Sequence, residues 1–373
     1  MSEPNLHKPS ERRPRHLDAL TGLRGIAAWL VVLYHIRLSL VSILPPGVIA
    51  VLARGYLAVD LFFVLSGFVM WYNYAAPLAS GGPRAAARFL WRRMARIWPL
   101  HLLILGGFVL FRAALTISGR PVEGLPLAEL PLQVLLIQNW GFTHELAWNH
   151  PAWSISTEFA AYLVFPAIVA ASQPIMGRGR LAIAIAIAAL LLAGEYALFT
   201  HRGLRTLGAD IPAMGLWRCL IGFMLGTLAC VIWQAARSPR AWPWALFAAG
   251  WIALGSVAGW PETAIVPPAI VTAMLALIYA KGPLARFLSS HAAVWLGEVS
   301  YSTYLAHAFL FLVFKLLFVD ASLQIGWAGL AAYLLLLLIA SWALYRLIEK
   351  PAQRWLNART PGWTRPLPAS PAE

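Results

Sequence analysis

An all-α polytopic membrane protein is the fold class that this sequence predicts, and three observations predict it. Of the 373 residues 60% are hydrophobic and only 12% charged, with a mean hydropathy of +0.69, whereas an ordinary soluble domain carries about 25% charged residues. Apolar runs long enough to cross a hydrocarbon core of ~30 Å recur along the whole chain. The basic residues also alternate between connecting segments, as they do where positive charge is retained on the cytoplasmic side.

The runs fall at about 20–40, 50–74, 97–117, 153–171, 181–199, 212–233, 243–259, 263–280, 295–318 and 325–347, which predicts about ten transmembrane helices. The segment 126–140 is short and interrupted, and reads as an interfacial or re-entrant piece of a long loop, with an eleventh span as the competing reading. If the N-terminus is inside, twenty of the 29 Lys and Arg residues lie on inner segments, while the outer loops hold only Arg120, Arg202 and Arg205. Both termini are therefore expected to be cytoplasmic. The net charge of +14 follows mainly from this topology and from attraction to anionic lipid. A nucleic-acid partner is not expected, because the basic residues are spread over six segments and do not form one soluble face.

Three regions are expected: a basic cytoplasmic tail at 1–16, a transmembrane domain at 17–355 and a disordered, proline-rich cytoplasmic tail at 356–373. The first apolar run lacks a small-residue cleavage site, so it reads as an anchor and not as a signal peptide. No appended soluble domain is expected. Cys219 and Cys230 lie eleven residues apart on one expected helix, ~16 Å and beyond disulfide reach, and read as small core residues.

The chemistry-bearing side chains stand out against this apolar background. Arg24 and His35 lie eleven residues apart in the first run, within roughly 20° of one helix face and ~16 Å apart along the axis. Intramembrane ionisable groups mark functional sites by default, because each must face a cavity or a partner. The second run places Asp60 and Ser66 near the bilayer centre. Ser66-Gly67 suits a close helix contact, while Asp60 requires a cation such as Arg54, Arg37 or His35, or a proton of its own. Arg93 and Arg96, one turn apart at the start of the third run, form a cationic comb with Arg88 and Arg92. Arginine forks match phosphate oxygens, although positive-inside retention alone would also place bases here.

The fourth run opens with Trp153-Ser154-Ile-Ser-Thr-Glu158, where Ser and Thr ahead of Glu also fit a helix start. Glu158 could orient a histidine or act on an acceptor hydroxyl. His144, Glu145 and His150 miss the zinc spacing of His-Glu-x-x-His, and no metal site is expected. In the ninth run Ser300, Tyr304 and His307 form one stripe, with a packing role for His307 as the plain alternative. Glu349, at the end of the last run, reads as the partner of a neighbouring base.

Taken in order, Arg24-x10-His35, Asp60-Leu-Phe-Phe-Val-Leu-Ser-Gly-Phe68, Arg93-x-x-Arg96, Trp153-Ser-x-x-x-Glu158, Ser300-Tyr-x-x-Tyr-Leu-x-His307 and Glu349-x-Pro351 resemble the acyltransferase-3 family of bacterial integral-membrane O-acyltransferases. The resemblance runs from about residue 17 to 355. It implies an enzyme of the bacterial cytoplasmic (inner) membrane that moves an acyl group, acetyl in the first instance, from cytoplasmic acyl-CoA to a hydroxyl of a glycan, lipid-linked sugar or secondary metabolite. Acyl-CoA would be a co-substrate, with no tightly bound cofactor, and a homo-oligomer is compatible with it. The resemblance further implies that Arg24, Arg93 and Arg96 hold the CoA phosphates. His35 would be the general base, with an acyl-histidine intermediate as the alternative. Glu158 and Asp60 would orient or polarise His35, while Ser66, Trp153, Tyr304 and His307 would serve the substrate, the oxyanion or the channel. Trp140, Trp148 and Trp153 would suit sugar stacking. Two other readings remain: a multi-pass transporter or flippase of a glycan or small anionic solute calls for broken helices in two repeated halves, and the sequence shows no such symmetry, while a sensor or assembly scaffold gives no reason for Arg24 and His35 in register.

Overall fold

A computed structural model describes residues 15–173, 180–235, 240–319 and 322–362; most of the two tails, with Arg178 and Arg237, lies outside the described residues. Those residues form helices and connecting turns, with no strand among them. The long helices are α1 Arg15–Ile36, α3 Ala58–Ile117, α5 Ala152–Ser172, α6 Arg180–His201, α7 Ile211–Ala235, α8 Ala241–Val257, α9 Glu262–Tyr279, α11 His291–Phe318 and α12 Trp327–Leu344. Short helices α2 Pro46–Leu52, α4 Leu130–Leu135, α10 Pro283–Leu288 and α13 Lys350–Ala358 connect or extend them. Eight stretches are long and apolar enough to cross a membrane, and α8 is a shorter apolar helix of the same kind.

The stretch Pro46–Ile117 contains two expected spans, which lie largely in α3, two helical arms joined at a kink. At 60 residues α3 would be about 90 Å long if straight, three times the hydrocarbon thickness. It folds at Gly82 (φ 54°, ψ −152°), a conformation essentially confined to glycine. The following Pro83 cannot continue the hydrogen-bond ladder and starts the second arm. Across the bend the rings of Tyr74 and Phe89 lie 5.1 Å apart, and Arg93 donates to the Tyr74 hydroxyl at 2.9 Å, so the arms return beside each other. The fold-back gives one of the eight long apolar stretches two arms, and α8 adds a shorter apolar helix.

One competing reading and one expectation are corrected. The segment 126–140 holds a short turn and the six-residue α4, about 9 Å of helix, and makes no eleventh span. The chain after Lys350, expected to be disordered from 356, is helical through Ala358. Pro351 sits at the start of α13, where its missing N–H costs least. The preceding turn, Tyr345–Glu349, widens into a π-helical turn, which relieves the clash a proline makes one turn back. The indole N–H of Trp91 donates to Leu356 O at 2.9 Å and ties α13 to the second arm of α3.

Glycine sets the closest contacts. A Cβ on Gly297 of α11 would meet Thr21 O of α1 at 1.9 Å, and one on Gly226 of α7 would meet Val64 O of α3 at 1.9 Å. Backbones meet where side chains are absent, as membrane helix interfaces favour. The first contact lays α1 along α11, the second α7 along α3, and the polar residues come together along these two seams. Cys219 and Cys230 are buried free thiols on α7.

Candidate active site

On the seam between α1 and α11, Arg24 donates from Nε and a terminal nitrogen to Gly297 O at 3.1 and 2.5 Å. Ten residues further along α11, His307 Nε2 lies 3.2 Å from His35 Nδ1, so the eleven-residue step in α1 is matched by a ten-residue step in α11. Two parallel helices in contact keep such a register. His35 occupies the last turn of α1 against the middle of α11. His307 is fully buried, at 0% exposure, whereas His35 is accessible. His307 Nδ1 lies 2.6 Å from Tyr304 O, and the Tyr333 hydroxyl donates to His307 O at 2.9 Å. His150, in the loop before α5, is within electrostatic range of His35. Desolvation lowers the pKa of His150 even though part of the residue is open to solvent.

At the Arg24 end, Arg96 pairs with Glu349, whose other oxygen accepts from Ser302 at 2.6 Å. Arg24 and Arg93 both lie within electrostatic range of Arg96. The three arginines expected to bind phosphate are thus gathered in one place, half-buried, while Arg92 points to the exterior. The Arg96 guanidinium also stands over the Tyr301 ring at 5.4 Å. Glu349 is the neighbouring acid foreseen for a base, and it leaves the Arg96 charge partly balanced.

Between the two ends, Glu158 accepts from the Tyr162 hydroxyl at 2.6 Å, and Ser66 Oγ lies 3.4 Å from that hydroxyl. Arg93 stands 5.9 Å from the Tyr162 ring centre. Tyr304 donates to Pro151 O at 3.1 Å and lies 2.7 Å from Ser154 Oγ. The Tyr304 hydroxyl is held by α5, and its ring edge faces Phe62 at 5.7 Å.

Several residues stand elsewhere than expected. Asp60 accepts two hydrogen bonds from Arg218 of α7, at 2.6 and 2.7 Å, and pairs with none of Arg54, Arg37 or His35. Bidentate geometry and the depth of the site favour the guanidinium. Arg54 pairs instead with Glu262, which also accepts from the Tyr56 hydroxyl, and Arg37 stacks over Tyr34 at 4.1 Å. Neither Asp60 nor Glu158 hydrogen-bonds His35; His307 holds that place. Trp153 is 6% exposed, with the Arg218 guanidinium 5.5 Å from its ring, and is packed in the core where sugar stacking was expected. Trp148 is 3% exposed and donates to Pro126 O; Trp140 donates to Ser156 O.

Arg218 and the buried Glu195, which lies within electrostatic range of Asp60 and Arg218, were not singled out by sequence. Each is an isolated charge inside an apolar run, and that signal could have found both.

A family profile described as an acyltransferase domain, acyltransferase-3, matches residues 17–346. Among known proteins, the chain is 30% identical to "Acyltransferase MdmB" of Streptomyces mycarofaciens, over 95% of this chain and 96% of that protein. It is 36% identical to "Protein 2 in picA locus" of Rhizobium radiobacter over 30% of this chain and 54% of that protein. It is 27% identical to "Putative peptidoglycan O-acetyltransferase YrhL" of Bacillus subtilis (strain 168) over 47% of this chain and 27% of that protein. No solved structure matches.

Proposed function

The chain belongs to the acyltransferase-3 family and is an acyltransferase, and on that premise we propose that it moves an acyl group, acetyl in the first instance, from acyl-CoA to an alcohol acceptor in the bacterial cytoplasmic membrane. The acceptor class is a hydroxyl of a glycan, lipid-linked sugar or secondary metabolite. The observation that carries this reading is the shared register of α1 and α11: a cluster of guanidiniums around Arg24 at one level and an accessible imidazole, His35, about 16 Å further along the same helix. A phosphate-bearing carrier with a long arm fits that spacing.

In this reading Arg24, Arg93 and Arg96 hold the CoA phosphates through charge-assisted hydrogen bonds, with Glu349 fixing the direction of Arg96. His35 takes the proton of the acceptor hydroxyl as its oxygen bonds to the thioester carbonyl carbon. Collapse of the tetrahedral adduct breaks the carbon–sulfur bond, and the leaving sulfur recovers the proton from His35. The products are the O-acyl ester and free CoA thiol. Glu158, Tyr162 and Ser66 form a hydrogen-bonded group beside Arg93 that would serve the substrate.

Membrane vesicles carrying wild type or His35→Ala at equal abundance, given radiolabelled acetyl-CoA and host glycans and lipids, test the reading. Label is expected to pass into an extractable product with wild type alone. Equal labelling by both folded proteins would remove His35 as the base.

A further inference from the structure

The proton positions of the histidine pair follow from its partners. A carbonyl oxygen can only accept, so the 2.6 Å contact to Tyr304 O puts a proton on His307 Nδ1. His307 is fully buried with no carboxylate among the described residues hydrogen-bonded to it, and a buried imidazolium without such a partner is costly. The neutral ring therefore presents a lone pair at Nε2. On the other ring, His35 Nδ1 lies 2.9 Å from Val31 O and 3.2 Å from that lone pair. Both neighbours accept, so His35 Nδ1 carries the proton and shares it between them. The remaining nitrogen of His35, Nε2, is left unprotonated, on a residue with exposed surface.

We propose that His307 is a positioning residue that fixes His35 as the Nδ1–H tautomer and so leaves His35 Nε2 as the base. His307 occupies the place that a carboxylate takes beside the histidine of a hydrolase triad. It is neutral, so it orients the ring without fixing a positive charge on it in the resting enzyme. When His35 Nε2 takes the acceptor proton, the imidazolium keeps its Nδ1–H bond to His307, and the positive charge is shared along one hydrogen bond until the leaving sulfur removes the proton. The buried end of the chain is held on both sides: Tyr333 from α12 donates to the His307 carbonyl, and Tyr304, whose carbonyl accepts from His307 Nδ1, is itself held to α5 through Ser154 and Pro151.

This inference rests on the acyl-transfer reading, and its test separates the two. Nitrogen-15 NMR of histidine-labelled protein in lipid reads which ring nitrogen of His35 bears the proton, with no need of turnover; His35→Ala assigns the signal. The wild type is expected to show His35 protonated at Nδ1. His307→Gln, which restores an acceptor oxygen, is expected to keep that tautomer and to stay within about 10-fold of the wild-type kcat, whereas His307→Phe loses the tautomer and, as general-base contributions run, 10²- to 10⁴-fold in kcat at little-changed KM. A wild-type His35 protonated at Nε2 overturns the proposal, even if no His307 variant folds. So does His307→Phe with wild-type kcat while His35→Ala is inactive, a result that leaves the acyl-transfer reading standing. Full activity in His35→Ala would overturn this proposal together with the assignment of His35 as base, whereas no label transfer by the folded wild type would overturn the acyl-transfer reading itself.

Discussion

Asp60 and Arg218 show how one residue's reading changes once its partner is known. A lone aspartate in an apolar run was legible as a group that must be compensated; the identity of its counterion was not, because Arg218 lies 158 residues away and the pairing depends on how α3 and α7 pack. Removing one member of such a buried pair leaves an uncompensated charge and costs roughly 3–5 kcal/mol. Arg218→Met is therefore expected to lower the thermal midpoint sharply in detergent, and Asp60→Leu with Arg218→Met to recover most of the loss; a stable single variant would show that the pair contributes nothing. The arginine cluster is the opposite case. Arg24, Arg93 and Arg96 were legible individually from spacing, and the fold brings them together. Among the described residues Arg93 donates only to a neutral hydroxyl, Tyr74, and is well suited to take a phosphate. A hydrogen bond to a charged group is worth about 1.5–3 kcal/mol, so Arg93→Ala is expected to raise KM for acyl-CoA about 10- to 100-fold with a smaller change in kcat, checked by initial rates in vesicles. A change in kcat alone would argue against a phosphate contact.

At the scale of the element, what sets the site is the closeness of helices. The sequence foretold the Arg24 and His35 register because it is a property of one helix. It did not foretell that α11 carries the matching half, since a stripe of Ser300, Tyr304 and His307 says which side is polar and not which helix it meets. The glycines decide that. A methyl on Gly297 would meet the Thr21 carbonyl, a backbone atom that cannot swing aside, whereas one on Gly106 meets nothing within 4 Å. Overpacking of this kind costs typically 1–3 kcal/mol. Gly297→Ala should lower both thermal midpoint and activity by separating Arg24 from Gly297 O and His35 from His307, while Gly106→Ala should match wild type in both. If Gly297→Ala keeps full activity, the α1 and α11 seam does not hold the site. That the helix runs three residues into the segment expected to be disordered was illegible for a related reason: its prolines made 356–373 read as disordered, but Trp91 and the π turn before Pro351 hold Lys350–Ala358 in place.

Over the whole molecule, the alternating order of spans expected from the sequence makes a demand that contacts can meet or violate: spans of equal parity must run the same way. They do. α1 and α11 run parallel, Arg24 meeting Gly297 and His35 meeting His307. The first arm of α3 runs parallel to α5, through Phe63 with Trp153 and Trp71 with Phe165, and the second arm runs parallel to α11, through Ile97 with Tyr301 and Phe108 with Phe309. Such contacts fix relative direction and leave open which face meets the cytoplasm, a matter that rests on the distribution of Lys and Arg. It also bears on the chemistry, because a cytoplasmic donor must reach the Arg24 end of the seam. Both native cysteines are buried, so single exposed cysteines can be read against a quiet background. With the N-terminus inside, a membrane-impermeant maleimide added to intact cells is expected to label His144→Cys, in the loop before α5, and to label Arg92→Cys, beside the arginine cluster, only after permeabilisation. The reverse pattern would put the cluster on the outer face, away from cytoplasmic acyl-CoA, and would turn the donor assignment around with it.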